Sequence, residues 1–196
     1  MNNVLFLAGN IGLYPSLLKL IDSEDVLMQY KQIKYNFNQI IKEATQQKDL
    51  IWQQVAKSAI VYVSAKTNVE QLLPVLKEEM AFLEHTAILV RMPCLPMNCL
   101  IEIELLCDVT DPGSGDKTIS CIQNTIPAGK VDDFLSTQST NHYGEIFYVA
   151  DKVLKKDLQS SVHGSEKASA IPCLEIIDIS QPTGPQISIV ERKYNL

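Results

Sequence analysis

The sequence predicts an α+β fold: a mixed β-sheet carrying two helices on one face, followed by a β-rich C-terminal extension. Three observations predict it. An apolar opening strand, Val4-Leu5-Phe6-Leu7, runs into a Gly-x-x-Gly turn at Gly9-Asn10-Ile11-Gly12. Two later stretches repeat apolar residues at spacings of three and four, the mark of an amphipathic helix. Finally, Ile101-Glu102-Ile103-Glu104 alternates strictly, as a strand with one buried face must.

The elements follow in order. From Asp22 to Thr45 the residues Val26, Leu27, Tyr30, Ile33, Phe37, Ile40, Ile41 and Ala44 line one helical face, with Asp22 or Ser23 as the cap and Glu24 and Asp25 in the first turn. Ala59-Ile60-Val61-Tyr62-Val63 is a strand by its β-branched and aromatic content. A second helix joins Val69, Leu72, Leu73, Leu76, Met80 and Leu83 after a cap at Asn68; Pro74 removes one of its backbone bonds, so it starts late or kinks. Ile88-Leu89-Val90 opens a further strand, expected to form a hairpin with Leu100 to Val109 across a connection containing Pro93 and Pro96. The order β-α-β-α-β-β holds two crossover units, which puts both helices on one face and leaves the other to be covered by something else.

Residues 1–110 form this domain and residues 111–196 the extension. Asp111-Pro112-Gly113-Ser114-Gly115-Asp116 reads as a flexible junction. Strand-like stretches follow at Thr118 to Ile126, Glu145 to Ala150, Cys173 to Ile179 and Gln186 to Glu191, with Lys155 to Ala170 a polar loop. Gly113-Ser114-Gly115-Asp116-Lys117-Thr118 ends like a phosphate loop but lacks its required glycines, so a linker is the better reading.

A net charge of -6 disfavours nucleic acid and anionic membrane as partners, since both demand clustered Lys and Arg. No apolar run reaches the roughly 18 residues that cross a bilayer, and a cytoplasmic location is expected. The five cysteines are odd in number and form no Cys-x-x-Cys pair, which fits reduced, buried thiols rather than a disulfide frame or a metal site. His85, His142 and His163 share no metal-ligand spacing.

The strand, the glycine turn, the two helices and the close Leu95-Pro96…Ile101-Glu102-Ile103-Glu104 together resemble the reactive-intermediate deaminase (RidA, or YjgF-like) family, over roughly residues 3 to 110. The resemblance implies a chorismate-mutase-like sheet, three of which close into a trimer, and a pocket between subunits where enamines and imines are hydrolysed. There an arginine grips the substrate carboxylate and a glutamate handles a proton or water. Glu102 matches that glutamate. Counted back from Leu95-Pro96 without a gap, Ala87 falls on the arginine position and Leu89 on that of a usual cysteine; Arg91 is the only nearby cation. Ala8 and Asn10 stand where the family typically has Ser and Gln. The ligand pocket expected on this basis comprises Gly9, Asn10, Gly12, Arg91, Glu102 and Glu104. The alternative for both glutamates is the exposed polar face of an alternating strand.

The Gly9-Asn10-Ile11-Gly12-Leu13-Tyr14-Pro15 segment and the long extension are similar to the RidA-like region at the C-terminus of eukaryotic, notably fungal, diphthine-ammonia ligases. That resemblance implies an ATP-dependent parent whose nucleotide loop is not in these residues, a module without cofactor, and as partners a sister RidA-like domain, a second copy, or elongation factor 2. Met1-Asn2-Asn3 leads into a strand without a cap, which reads as a start inside a longer chain. Family members begin with a Gly-Pro turn and a further strand, which Thr183-Gly184-Pro185-Gln186-Ile187-Ser188-Ile189-Val190 is expected to supply; simple pairing with an exposed edge is the alternative. A stand-alone deaminase with a remodelled pocket and a small-metabolite sensor remain the competing functions.

Overall fold

The computed structural model describes residues 4–110, 120–127, 130, 144–149, 168–179 and 187–195. Its elements are β1 (Val4–Ile11), a small hairpin of β2 (Leu13–Tyr14) and β3 (Lys19–Leu20), α1 (Val26–Thr45), α2 (Trp52–Val55), β4 (Ala56–Ser64), α3 (Val69–Glu79), β5 (Ala87–Met92) and β6 (Ile101–Asp108). The extension adds β7 (Ser120–Pro127), β8 (Gly144–Val149), β9 (Ala168–Cys173), β10 (Glu175–Asp178) and β11 (Ile187–Asn195). The expected α+β class, two helices on one face of a mixed sheet with a β-rich extension, is the fold observed.

The first sheet has the order β1-β6-β4-β5-β10, antiparallel except for the parallel pair β4 and β5. The expected hairpin of β5 with β6 does not form: β4 lies between them. The physical reason is burial on both faces. Ala59, Ile60, Val61 and Val63 of β4 are all 2% exposed or less, and a strand apolar without alternation belongs in the middle of a sheet. The alternating β6 pairs on its other side with β1, at the edge.

The helices lie where the periodicity put them, with the start of α1 shifted. Asp25 caps α1, its carboxylate accepting from the amides of Leu27 (2.9 Å) and Met28 (3.0 Å). Asp22 instead accepts from the amides of Glu24 and Asp25 in the turn just before. Asn68 caps α3, which begins promptly at Val69 and runs through the exposed Pro74. Val26, Tyr30, Ile33, Phe37 and Ile41 of α1 and Leu72 and Leu76 of α3 pack on Leu7, Val61, Val63, Ala87, Leu89, Ile101, Ile103 and Leu105 of the sheet.

The β4 and β5 half of the opposite face is covered from within the chain. A second sheet, β7-β11-β8-β9, packs Phe147, Val149, Cys173, Ile187 and Val190 against Ile60, Ile88 and Val90. A single residue, Leu174, separates β9 of this sheet from β10 of the first, so one bent strand serves both. The described parts of the stretches 118–126, 145–150 and 186–191 are strands, whereas the stretch from Cys173 to Ile179 is split at Leu174 between β9 and β10. Ala168 to Ala170, expected in a loop, belong to β9, paired in parallel with β8; residues 155–167 and the junction at 111–116 lie outside the described residues. The described part of the tail neither supplies a strand beside β1 nor pairs with an edge of the first sheet: β11 sits between β7 and β8, and residues 183–186 lie outside the described residues. The segment that closes an edge of the first sheet is β10, on β5.

Candidate functional site

Glu102 is the centre of the site. On β6 it lies opposite Ile11 of β1 and Tyr62 of β4. The glycine segment beside it is no turn: β1 continues to Ile11, and a bulge sets Ala8 and Gly9 against the single residue Glu104, since Leu7 faces Leu105 and Asn10 faces Ile103. A Cβ at Gly9 would stand 1.8 Å from Oε1 of Glu102. Only glycine therefore lets the carboxyl lie over the bulge.

Half-burial pushes the Glu102 carboxyl above its ordinary value, because loss of water disfavours the charged form. Among the described residues it makes no hydrogen bond or ion pair. The fully buried Cys99 feels it: burial chiefly, and then the Glu102 charge, push that thiol up to about 11. Cys99 is thus a protonated thiol at neutral pH and no nucleophile. The Tyr62 hydroxyl donates to Oε2 of Glu104 at 3.3 Å, and the Tyr62 ring meets Phe147 of the second sheet, with centroids 6.2 Å apart and planes tilted by 57°. The arrangement offers a carboxyl able to give or take a proton, beside a hydroxyl-bound carboxylate and an aromatic wall.

Of the residues expected at the pocket, the structure brings together Gly9, Glu102 and Glu104. Three others are placed differently. Gly12 is needed for helix packing: a Cβ there would meet Cα of Gln29 in α1 at 2.7 Å. Gln29 is itself fully buried, donating to the Asp22 carbonyl and accepting from the Leu100 amide at 2.9 Å. Asn10 spends its amide across the bulge, on the Ala8 carbonyl at 2.8 Å. Arg91 shares by strand alternation the helix-side face of Ala87 and Leu89, which lie in that core. Its Nε approaches Glu175 Oε2 at 3.2 Å.

The positions matched to the family's arginine and cysteine point to the helices, whereas on the face of Glu102 β5 presents Ile88 and Val90. Sequence reasoning missed Tyr62, Cys99 and Phe147. Cys99 stands only three residues before Glu102, a signal available in the sequence; the other two arrive through strand register and through the second sheet. No group of three or more His, Cys, Asp or Glu suited to a metal occurs among the described residues. No helix among them is long and apolar enough to cross a membrane.

Solved structures similar to the chain include a Thermotoga maritima protein, at 17% identity and TM-score 0.46, covering 57% of this chain and 83% of that one. A second is YyfA of the conserved Rid protein family from Yersinia pestis, at 20% and 0.43, covering 56% and 82%. A third is the YjgF gene product of Escherichia coli, at 23% and 0.41, covering 55% and 82%. No family model matches the chain, and no curated protein matches it.

Proposed function

We propose that this chain is a RidA-like module that works by interaction or regulation rather than by turnover, and that its parent is a diphthine-ammonia ligase acting on elongation factor 2. The observation that carries the non-catalytic part is the face shared with Glu102. Strand β5 lays Ile88 and Val90 there, and Arg91 lies on the opposite side of the sheet against Glu175. Two apolar side chains cannot replace the paired hydrogen bonds of a guanidinium to a carboxylate. Support for the ligase is the sequence likeness of the Gly9 to Pro15 segment and of the extension; ATP chemistry would then reside elsewhere in the parent. The test is made in source cells. Glu102→Ala should leave the diphthamide content of elongation factor 2 unchanged, while Ile60→Asp, which breaks the junction of the two sheets, should lower it. A fall with folded Glu102→Ala would overturn the non-catalytic reading, and no fall with either variant would overturn the parentage.

One observation favours a second reading. Glu102 holds a half-buried carboxyl, raised in pKa and unpaired among the described residues, as a general acid for imine hydrolysis or a metabolite-binding group would require. Release of ammonia from a freshly generated imine, lost in Glu102→Gln, would establish a deaminase. Thermal shifts with metabolites but no turnover would establish a sensor.

A further inference from the structure

The Glu102 site meets the extension at a chemically specific point, Phe147. Phe147 is fully buried in the second sheet, yet its ring meets Tyr62, whose hydroxyl reaches Glu104, two residues from Glu102 on the same face of β6. Tyr62 is also the β4 residue opposite Glu102. Phe147 is held from both sides: the β11 register places it against Val190, and the same apolar cluster joins it to Ile60, Ile88 and Val90 of the first sheet. A ring anchored in this way has little freedom to move, and a tilted aromatic pair prefers a narrow range of geometries. The Tyr62 ring is therefore braced by a residue of the extension.

We infer that the second sheet is a built-in wall of the Glu102 site, with Phe147 a positioning residue acting through Tyr62 on Glu104, so that the site is completed within one chain. This deepens the reading of that cleft given above and is independent of whether the cleft binds a metabolite or turns one over. A site shared between chains would come apart on dilution, because its integrity follows protomer concentration; a site within one chain does not.

The experiment uses the full chain and reads the carboxyl carbon resonances of Glu102 and Glu104 at fixed pH. Phe147→Leu keeps an apolar side chain but removes the ring. Val149→Ala perturbs the same apolar cluster without a ring contact to Tyr62. The expected result is a shift of the Glu104 signal in Phe147→Leu, reproduced by Tyr62→Phe and absent in Val149→Ala. Equal effects of Phe147→Leu and Val149→Ala, or no effect of Phe147→Leu, would overturn the positioning role. Should Phe147→Leu not fold, dilution of the unaltered chain still decides. Glu102 and Glu104 signals constant across an about hundredfold dilution support completion within one chain, and signals that move with dilution overturn it.

Discussion

The two faces of the first sheet are buried by different means. Facing the helices, the sheet positions from Leu7 through Leu105 are apolar and sealed except for Arg91 near the end of β5, and polar groups that penetrate are bound to one another, such as the Tyr30 hydroxyl to Glu79 at 3.0 Å beside Lys34. The other face is divided. Its β4 and β5 half is as dry as the helix side, with Ile60, Ile88 and Val90 at 2% exposure or less, while its β1 and β6 half carries Phe6 at 53% exposure and the partly buried Glu102 and Glu104. One strand pair is thus core on both sides, and its neighbour is core on one side and a candidate site on the other. The difference teaches that, among the described residues, the second sheet covers the β4 and β5 half and leaves the bulge beside Glu102 accessible.

The largest expected effect tests whether the dry half is core of equal rank. Ile33→Ala beneath the helices and Ile88→Ala beneath the second sheet should each cost about 2–5 kcal/mol in denaturant unfolding. A markedly smaller loss at Ile88 would break the equivalence and mean that the second sheet is only loosely seated. The two glycines come next. Gly12→Ala drives a methyl into the backbone of α1 and should cost about 1–3 kcal/mol. At Gly9 the obstruction is the end of a side chain that can swing away, so Gly9→Ala should cost less, and Glu102→Ala in the same chain should recover the loss in a double-mutant cycle.

A smaller effect distinguishes the site half by pH. The folded chain holds the Glu102 proton more tightly than the unfolded one, so the group lowers stability as pH rises from the ordinary value of 4.5 through the raised folded value, and the penalty is complete above it. Glu102→Gln carries no such penalty. Its melting temperature relative to the unaltered chain should therefore climb from acid to neutral pH, and a flat or falling difference would contradict the burial of this carboxyl. The smallest effect belongs to Arg91 and Glu175. With the Glu175 side chain 51% exposed, Glu175→Gln should change stability by less than about 1 kcal/mol.

Much of this division was legible in the sequence. The strict alternation from Ile101 to Glu104 announced a strand with one polar face, and the unbroken apolar run from Ala59 to Val63 announced a strand with none. The second signal already implied that β4 is central, yet strands adjacent in sequence pair so often that β5 and β6 were expected together. Asp25 rather than Asp22 caps α1 because both are good caps three residues apart and only the backbone geometry chooses between them. Ala168-Ser169-Ala170 escaped notice as a strand because small residues carry little β preference; their pairing with β8 holds them there. For the site, Gly9 and Glu102 were within reach of the sequence, whereas Tyr62 and Phe147 depend on a register across three strands and a sheet far along the chain. Arg91 lies off the Glu102 face by parity, since a one-residue difference in strand register exchanges the faces of a sheet.

The bent strand through Leu174 has a consequence for synthesis in the cell. The edge of β5 is closed by β10, which leaves the ribosome well after β6; at about 5–20 residues per second the nascent sheet waits several seconds with that edge unpaired. During the same interval Ile60, Ile88 and Val90 have no cover, because Phe147 and Val190 also arrive late. A newly made chain therefore presents, for seconds, both an open strand edge and an apolar surface, the two features that chaperones bind and that neighbouring nascent chains stick to. The length of the extension sets how long this vulnerable period lasts.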